Sequence, residues 1–194
     1  MVTAQKLIVI TGATGTGKTT VSRYLREHYH IERVMTHTTR PKRPGEVDGV
    51  DYFFETPTSF ATKHYIEHVT YAGYQYGSSF ESLDAAWQRA NFVSIVLDTK
   101  GAITYANQLG NKIAVLYLTI DDPSVLRQRL LHRGDQPEMV EARLQSPEYK
   151  RDLQLPPALA PYAHVIVNDD WAAAQAQIDA FMKQLAVAAV ELSE

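Results

Sequence analysis

A chain of 194 residues has room for one large domain, or for a core with small insertions, but not for two full domains. Its 45% hydrophobic and 21% charged composition is that of an ordinary soluble globule, and a net charge of −3 with a pI near 6.2 argues against broad electrostatic binding to nucleic acid or an anionic membrane. The absence of cysteine removes disulfides, thiolate metal ligands and cysteine nucleophiles together.

In chain order, the first apolar run is 7–10, followed at once by a glycine-rich stretch and a helical pattern over 19–29. Further apolar runs fall at 92–97, 113–120 and 164–167. Each is rich in Val, Ile and Leu with little alternation, as in strands covered on both faces of a parallel sheet. Between them, 123–132 reads as a helix with Pro123 in its first turn and Asp121 or Asp122 as its cap. A C-terminal helix places Ile178, Phe181 and Leu185 on one face. Strands alternating with helices predict a doubly wound α/β core from 1–35 and 81–194. The segment 36–80 is different: short runs of Thr, Tyr and Phe, turn signals at Pro44, Gly45, Asp48 and Gly49, and one brief helix near 59–63. It predicts a small β-rich insertion. A charged, irregular zone covers roughly 133–150. No apolar run reaches 18 residues and no secretory leader is visible, so the expected compartment is the cytoplasm.

Residues 12–19 read GATGTGKT, between the first strand and the first helix. Glycines let successive backbone N–H groups turn toward one point, where they cradle phosphate oxygens, and the helix N-terminus adds partial positive charge there. Lys18 can then reach the β- and γ-phosphates, and the Thr19 hydroxyl can ligate Mg²⁺. The rival is a dinucleotide-binding turn, but that needs a third glycine where this chain has Lys18. The loop therefore predicts a phosphate-donor site.

Arg40, Lys42 and Arg43 fall within four positions of a proline-stiffened turn. Alone, such a run reads as a solvated loop. Beside a phosphate loop, its arginines offer planar donors for a second phosphate, and Tyr52 offers a further hydrogen bond. The stretch from Thr38 to Phe54 resembles the acceptor signature of guanylate kinases, T-T-R-x-x-R-x-G-E-x-x-G-x-D-Y-x-F, nearly position by position. Downstream, IEHVTYAGYQYGSS (66–79) is similar to that family's acceptor segment, and VLD (96–98) to its strand ending in an acid. RQRLLHRG (127–134) and EARL (141–144) resemble its arginine lid, and VIVNDD (165–170) its late strand and turn.

The resemblance implies a P-loop NTPase core with a parallel sheet flanked by helices, a GMP-binding insertion at 36–80 and a helical lid at about 133–150. It implies transfer of the γ-phosphoryl group of ATP to GMP, with Mg²⁺ accompanying ATP and Thr19 as metal ligand. Arg40, Arg43, Tyr52 and Tyr76 would hold the GMP phosphate, while Thr36, Glu67, Ser78 and Asp98 would face guanine. ATP would lie on Gly12, Ala13, Thr14, Gly15, Thr16, Gly17, Lys18, Thr19 and Thr20, with Arg129, Arg133 and Asn168. Lys18, Arg40, Arg133 and Arg143 would be the catalytic cations. The implied partners are these nucleotides, with no nucleic acid or membrane, for a monomer or homodimer. The alternatives are a related kinase of another small phosphorylated acceptor and a catalytically impaired binding module.

Three features depart from the family pattern. Lys100 stands where a second acid after Asp98 is usual, and the stretch from Phe60 to Glu67 is short, which predicts a reduced helix there. Prolines 147, 156, 157 and 161 predict a broken helical return from the lid. Residues 64–68, HYIEH, also match a zinc-protease string, but that site needs a helix. The aromatic and β-branched surroundings predict a strand, which spreads the two histidines along ~13 Å.

Overall fold

Runs of aliphatic residues with both faces apolar can be satisfied only in the middle of a layered structure, and the computed structural model places them there. It describes residues 5–42, 45–71, 73–132, 134 and 136–191. The chain begins with β1 (Lys6–Gly12), α1 (Lys18–Tyr29) and β2 (Glu32–Arg33). The insertion follows as β3 (His37–Thr38), β4 (Phe53–Phe54), α2 (Pro57–Phe60), β5 (Tyr65–Tyr71) and β6 (Tyr74–Ser79). The core resumes with α3 (Phe80–Arg89), β7 (Phe92–Val96), α4 (Thr99–Leu109), β8 (Ile113–Thr119) and α5 (Ser124–His132). It ends with α6 (Pro137–Gln145), α7 (Pro147–Asp152), a 3₁₀ segment (Pro157–Tyr162), β9 (Ala163–Val167) and α8 (Trp171–Glu191).

The core sheet has five strands in the order β2-β7-β1-β8-β9, every pair parallel. β1 is central, and its side chains divide between the two faces. Leu7 and Val9 join a cluster with Val93, Ile95, Val115 and Tyr105, while Ile8 and Ile10 join one with Leu116, Val21, Leu25 and Ile178. All four β1 residues are fully buried, and each such aliphatic side chain contributes about 1.5–3 kcal/mol. The strand order reverses direction at β1, with β7 on one side and β8 on the other. Such a switch point opens a crevice at the carboxyl ends of the strands. Gly12, Asp98 and Asn168 all lie at or just beyond those ends.

The insertion forms its own four-stranded sheet, β4-β3-β6-β5, with β3–β4 parallel and the other pairs antiparallel. As expected, its helix is reduced: α2 is four residues long, capped by Thr56, and begins two residues earlier than the sequence pattern placed it. HYIEH is indeed on a strand, β5, from Tyr65 onward, and no metal-ligand cluster occurs among the described residues. Insertion and core are joined by a buried network. His37 Nδ1 lies 2.8 Å from Glu55 Oε1, and its Nε2 lies 3.0 and 2.9 Å from the Ser79 and Ser82 hydroxyls at the start of α3.

The predicted helix over 123–132 begins at Ser124, with Asp122 Oδ1 accepting the Ser124 N–H at 2.9 Å. The predicted break by proline also occurs. Ser146 is extended (ψ 148°), and Pro147 occupies the first turn of α7. No described helix is long and apolar enough to cross a membrane.

Candidate active site

The glycine loop is built by β1 pairing with β8 to its last residue. Gly12 sits opposite Leu118, and a Cβ there would lie 2.2 Å from the Leu118 carbonyl oxygen. Only glycine lets the strands stay paired up to the turn. Gly17 precedes α1 with φ 98°, and a Cβ on it would meet Asn168 Nδ2 at 2.4 Å. That amide donates to the Thr16 carbonyl at 2.8 Å, so Asn168 braces the loop from β9. Lys18 Nζ donates to the carbonyls of Gly12 (2.6 Å) and Ala13 (2.8 Å), which holds the ammonium over the loop. Thr16 donates to the same Ala13 carbonyl at 2.8 Å.

A cavity of about 470 Å³ opens on this loop, lined by Thr14, Gly17, Lys18, Thr19, Arg129 and Asn168. Arg129 Nη2 donates to the Asn168 carbonyl at 2.8 Å, which sets the guanidinium along the cavity wall. Asp169 and Trp171 also line it. The sequence reading missed both, although they follow directly on the VIVN strand. Trp171 packs edge-on against Tyr24 at 5.5 Å, presenting an aromatic surface to the cavity.

A second cavity, of about 650 Å³, lies between the insertion and the core. Thr36, Tyr52, Glu67, Tyr76, Asp98 and Arg143 line it. Both volumes are in the range that holds a small-molecule ligand. At one end, Arg40 lies over the Tyr52 and Phe54 rings at 5.8 and 5.7 Å, and the Tyr52 and Tyr76 rings are 6.3 Å apart. Arg40 Nη2 donates to Glu46 Oε1 at 2.8 Å, and this carboxylate holds the guanidinium above its ordinary range.

At the other end, Glu67 and Ser78 are cross-strand partners on β5 and β6, and the Ser78 hydroxyl donates to Glu67 Oε1 at 3.0 Å. A bulge between Tyr65 and Glu67 re-aims this side chain, as bulges near sites do. Burial raises the Glu67 carboxyl above its ordinary value; Ser78 opposes this and the nearby Asp98 charge adds to it. Tyr105, fully buried on α4, backs the pair. Asp98 caps α4 through the Gly101 N–H at 2.7 Å. A Cβ on Gly101 would fall 3.2 Å from Asp98 Oδ1 and 3.6 Å from Glu67 Cδ, so the bare glycine lets the two carboxylates converge.

Of the expected site residues, Thr14, Gly15, Gly17, Lys18, Thr19 and Thr20 of the glycine loop, with Arg129 and Asn168, line the first cavity, whereas Gly12, Ala13 and Thr16 are buried in the loop and do not. The structure brings Thr36, Arg40, Tyr52, Glu67, Tyr76, Ser78, Asp98 and Arg143 in or against the second. Arg43 and Arg133 lie outside the described residues. Met139, Ser146, Glu148, Tyr149 and Asp152, from α6, α7 and their junction, also line the second cavity. No local pattern marked them, because their placement depends on the turn at Pro147.

A glycine loop at the carboxyl edge of a parallel sheet, closed by a lysine and a helix N-terminus, defines a P-loop nucleotide-binding protein. A model of the guanylate kinase family matches residues 4–185, and the chain belongs to that family. The guanylate kinase of Thermus thermophilus is 34% identical over 170 residues, covering 84% of this chain and 74% of that protein. One from Streptococcus pyogenes is 32% identical over 179 residues, covering 89% and 82%. The crystal structure of guanylate kinase from Anaplasma phagocytophilum shares the fold, with a TM-score of 0.64 at 20% identity over 96% of this chain and 87% of that one.

Proposed function

We propose that this guanylate kinase family member transfers the γ-phosphoryl group of ATP to the phosphate of GMP, giving ADP and GDP. The observation that carries this reading is that Thr14, at the tip of the glycine loop, lines both cavities. A donor whose phosphates lie on the loop and an acceptor whose phosphate lies near Arg40, Tyr52 and Tyr76 would meet there.

The acceptor phosphate is already an anion, so no strong general base is needed, and catalysis reduces to alignment and charge neutralisation. Lys18 supplies one cation at the loop. Arg40 with Tyr52 and Tyr76 orients the acceptor phosphate, and Arg143 approaches it from α6. Arg43 and Arg133 extend the same set in the sequence. Thr19, exposed on the first turn of α1, and Asp169 are oxygen donors on the first cavity, the kind a hard divalent cation takes. Thr19 and Asp169 would hold a magnesium ion bound with ATP, which would supply neutralisation of phosphate charge. At the base end, guanine offers N–H donors at N1 and N2, which Glu67 and Asp98 accept, and an O6 acceptor, which a hydroxyl such as that of Thr36 serves, while Ser78 holds Glu67 in place. Adenine reverses the pattern and leaves Glu67 without the base N–H donors it accepts, in a half-buried place.

A coupled ADP-release assay with GMP, dGMP, AMP, UMP and ribose phosphates tests the reading. Turnover is expected with GMP and dGMP, and Lys18→Ala is expected to lower it by at least about 10³-fold. Turnover only with another acceptor, or with none, overturns it.

A further inference from the structure

The break at Pro147 has a consequence for the base end of the second cavity. The helix α6 does not continue past Gln145. Instead Ser146 caps a new helix, its side chain accepting the Tyr149 N–H at 3.2 Å, and α7 ends on the core. The Tyr117 hydroxyl of β8 donates to the Asp152 carbonyl at 2.9 Å, and the Thr99 hydroxyl donates to the Asp152 carboxylate. Asp152 and Thr99 are both buried. Arg151 is therefore fixed at its backbone by the core sheet.

Its guanidinium makes three contacts. Nη2 donates to Asp98 Oδ2 at 2.8 Å, while Nε approaches Asp152 Oδ1 at 2.8 Å and Thr99 Oγ1 at 3.1 Å. The other Asp98 oxygen accepts the Gly101 N–H. Both oxygens of Asp98 are thus held by donors on separate elements, which fixes the plane of the carboxylate. The side chain of Asp98 is 49% exposed, so without these donors it has water and other rotamers to turn to. The neighbouring Glu67 carboxylate would also repel it, since the two converge over Gly101.

We infer that Arg151 is the positioning residue for base selection. From α7 it holds Asp98 aimed into the acceptor cavity beside Glu67, so that the two carboxylates together read the N1–H and 2-amino donors of guanine. This rests on the reading above that Asp98 faces guanine. A guanidinium suits the task because its planar fork spans two carboxylates in fixed geometry, which a lysine ammonium cannot do.

The test compares GMP with inosine monophosphate, which lacks the 2-amino group, in the wild type, Arg151→Met, Arg151→Lys, Asp98→Asn and the Arg151→Met/Asp98→Asn double variant. In Arg151→Met the ratio of kcat/KM for GMP to that for inosine monophosphate is expected to fall about tenfold. The loss should appear in KM for GMP and leave KM for ATP unmoved, a split that loosened folding would not produce. Arg151→Lys should recover part of the ratio, and the double variant should discriminate no worse than Asp98→Asn alone. If Arg151→Met keeps the wild-type ratio while Asp98→Asn loses it, the role of Arg151 is overturned and the guanine reading stands. A double variant that discriminates worse than Asp98→Asn equally overturns action through Asp98. A wild-type ratio in Asp98→Asn overturns the guanine reading itself.

Discussion

At Glu67 the needs of binding and of folding oppose each other. Burial raises its carboxyl, and Asp98 adds to that, so the folded protein holds the proton more tightly than the unfolded chain does. A raised folded value means that the group favours the fold below its unfolded value, and this advantage is lost as pH rises through the folded value. At neutral pH the ionised Glu67 therefore costs stability, while guanine needs it ionised. Glu67→Gln is expected to raise Tm at pH 7.5, to leave it unchanged at pH 4, and to raise KM for GMP at pH 7.5. Thermal melts at the two pH values check the sign, and an equal Tm gain at both would refute the titration argument. Glu67 and Ser78 were legible from the sequence because they sit inside a segment that resembles the family's acceptor segment. Arg151 and Asp152 were not. Their sequence neighbourhood is a proline-interrupted charged stretch, and what aims them is a contact with Tyr117 and Thr99 far away in the chain.

The element on which the donor site depends is the junction of β1 and α1. Its strand and helix were readable as a continuous apolar run followed by glycines and a helical pattern, and the observed elements extend the expected ones by only one or two residues at their ends. Gly17 is where the junction tolerates least. It needs a left-handed φ, and its missing side chain leaves room for the Asn168 amide. Gly17→Ala is expected to displace Asn168 from the Thr16 carbonyl and to weaken ATP binding by at least about tenfold. Titration calorimetry with ATP should show this, with GMP binding little changed; ATP affinity within twofold of wild type would contradict it. Helices α3 and α4 were less legible. Each is short, and each is placed by packing Leu83, Ala86, Ala102 and Tyr105 on the sheet, a tertiary effect that local patterning carries weakly.

On the scale of the whole molecule, the order of motifs announced an α/β core carrying a β-rich insertion, and the sheets bear out that class. The strand order did not follow from the sequence. Nothing local in residues 92–96 says that β7 slots between β2 and β1, because that choice is made by long-range pairing in a sheet buried on both faces. The pairing is what sets the two cavities on either side of Thr14, with the insertion pinned to α3 through His37, Glu55, Ser79 and Ser82. The most direct test of direct transfer between them follows the phosphoryl group itself. With γ-³²P-labelled ATP and GMP, the label is expected to arrive in the β-phosphate of GDP in step with ADP formation, and little is expected as inorganic phosphate. Label released mainly as inorganic phosphate, or found in an acceptor other than a guanine nucleotide, would contradict the account.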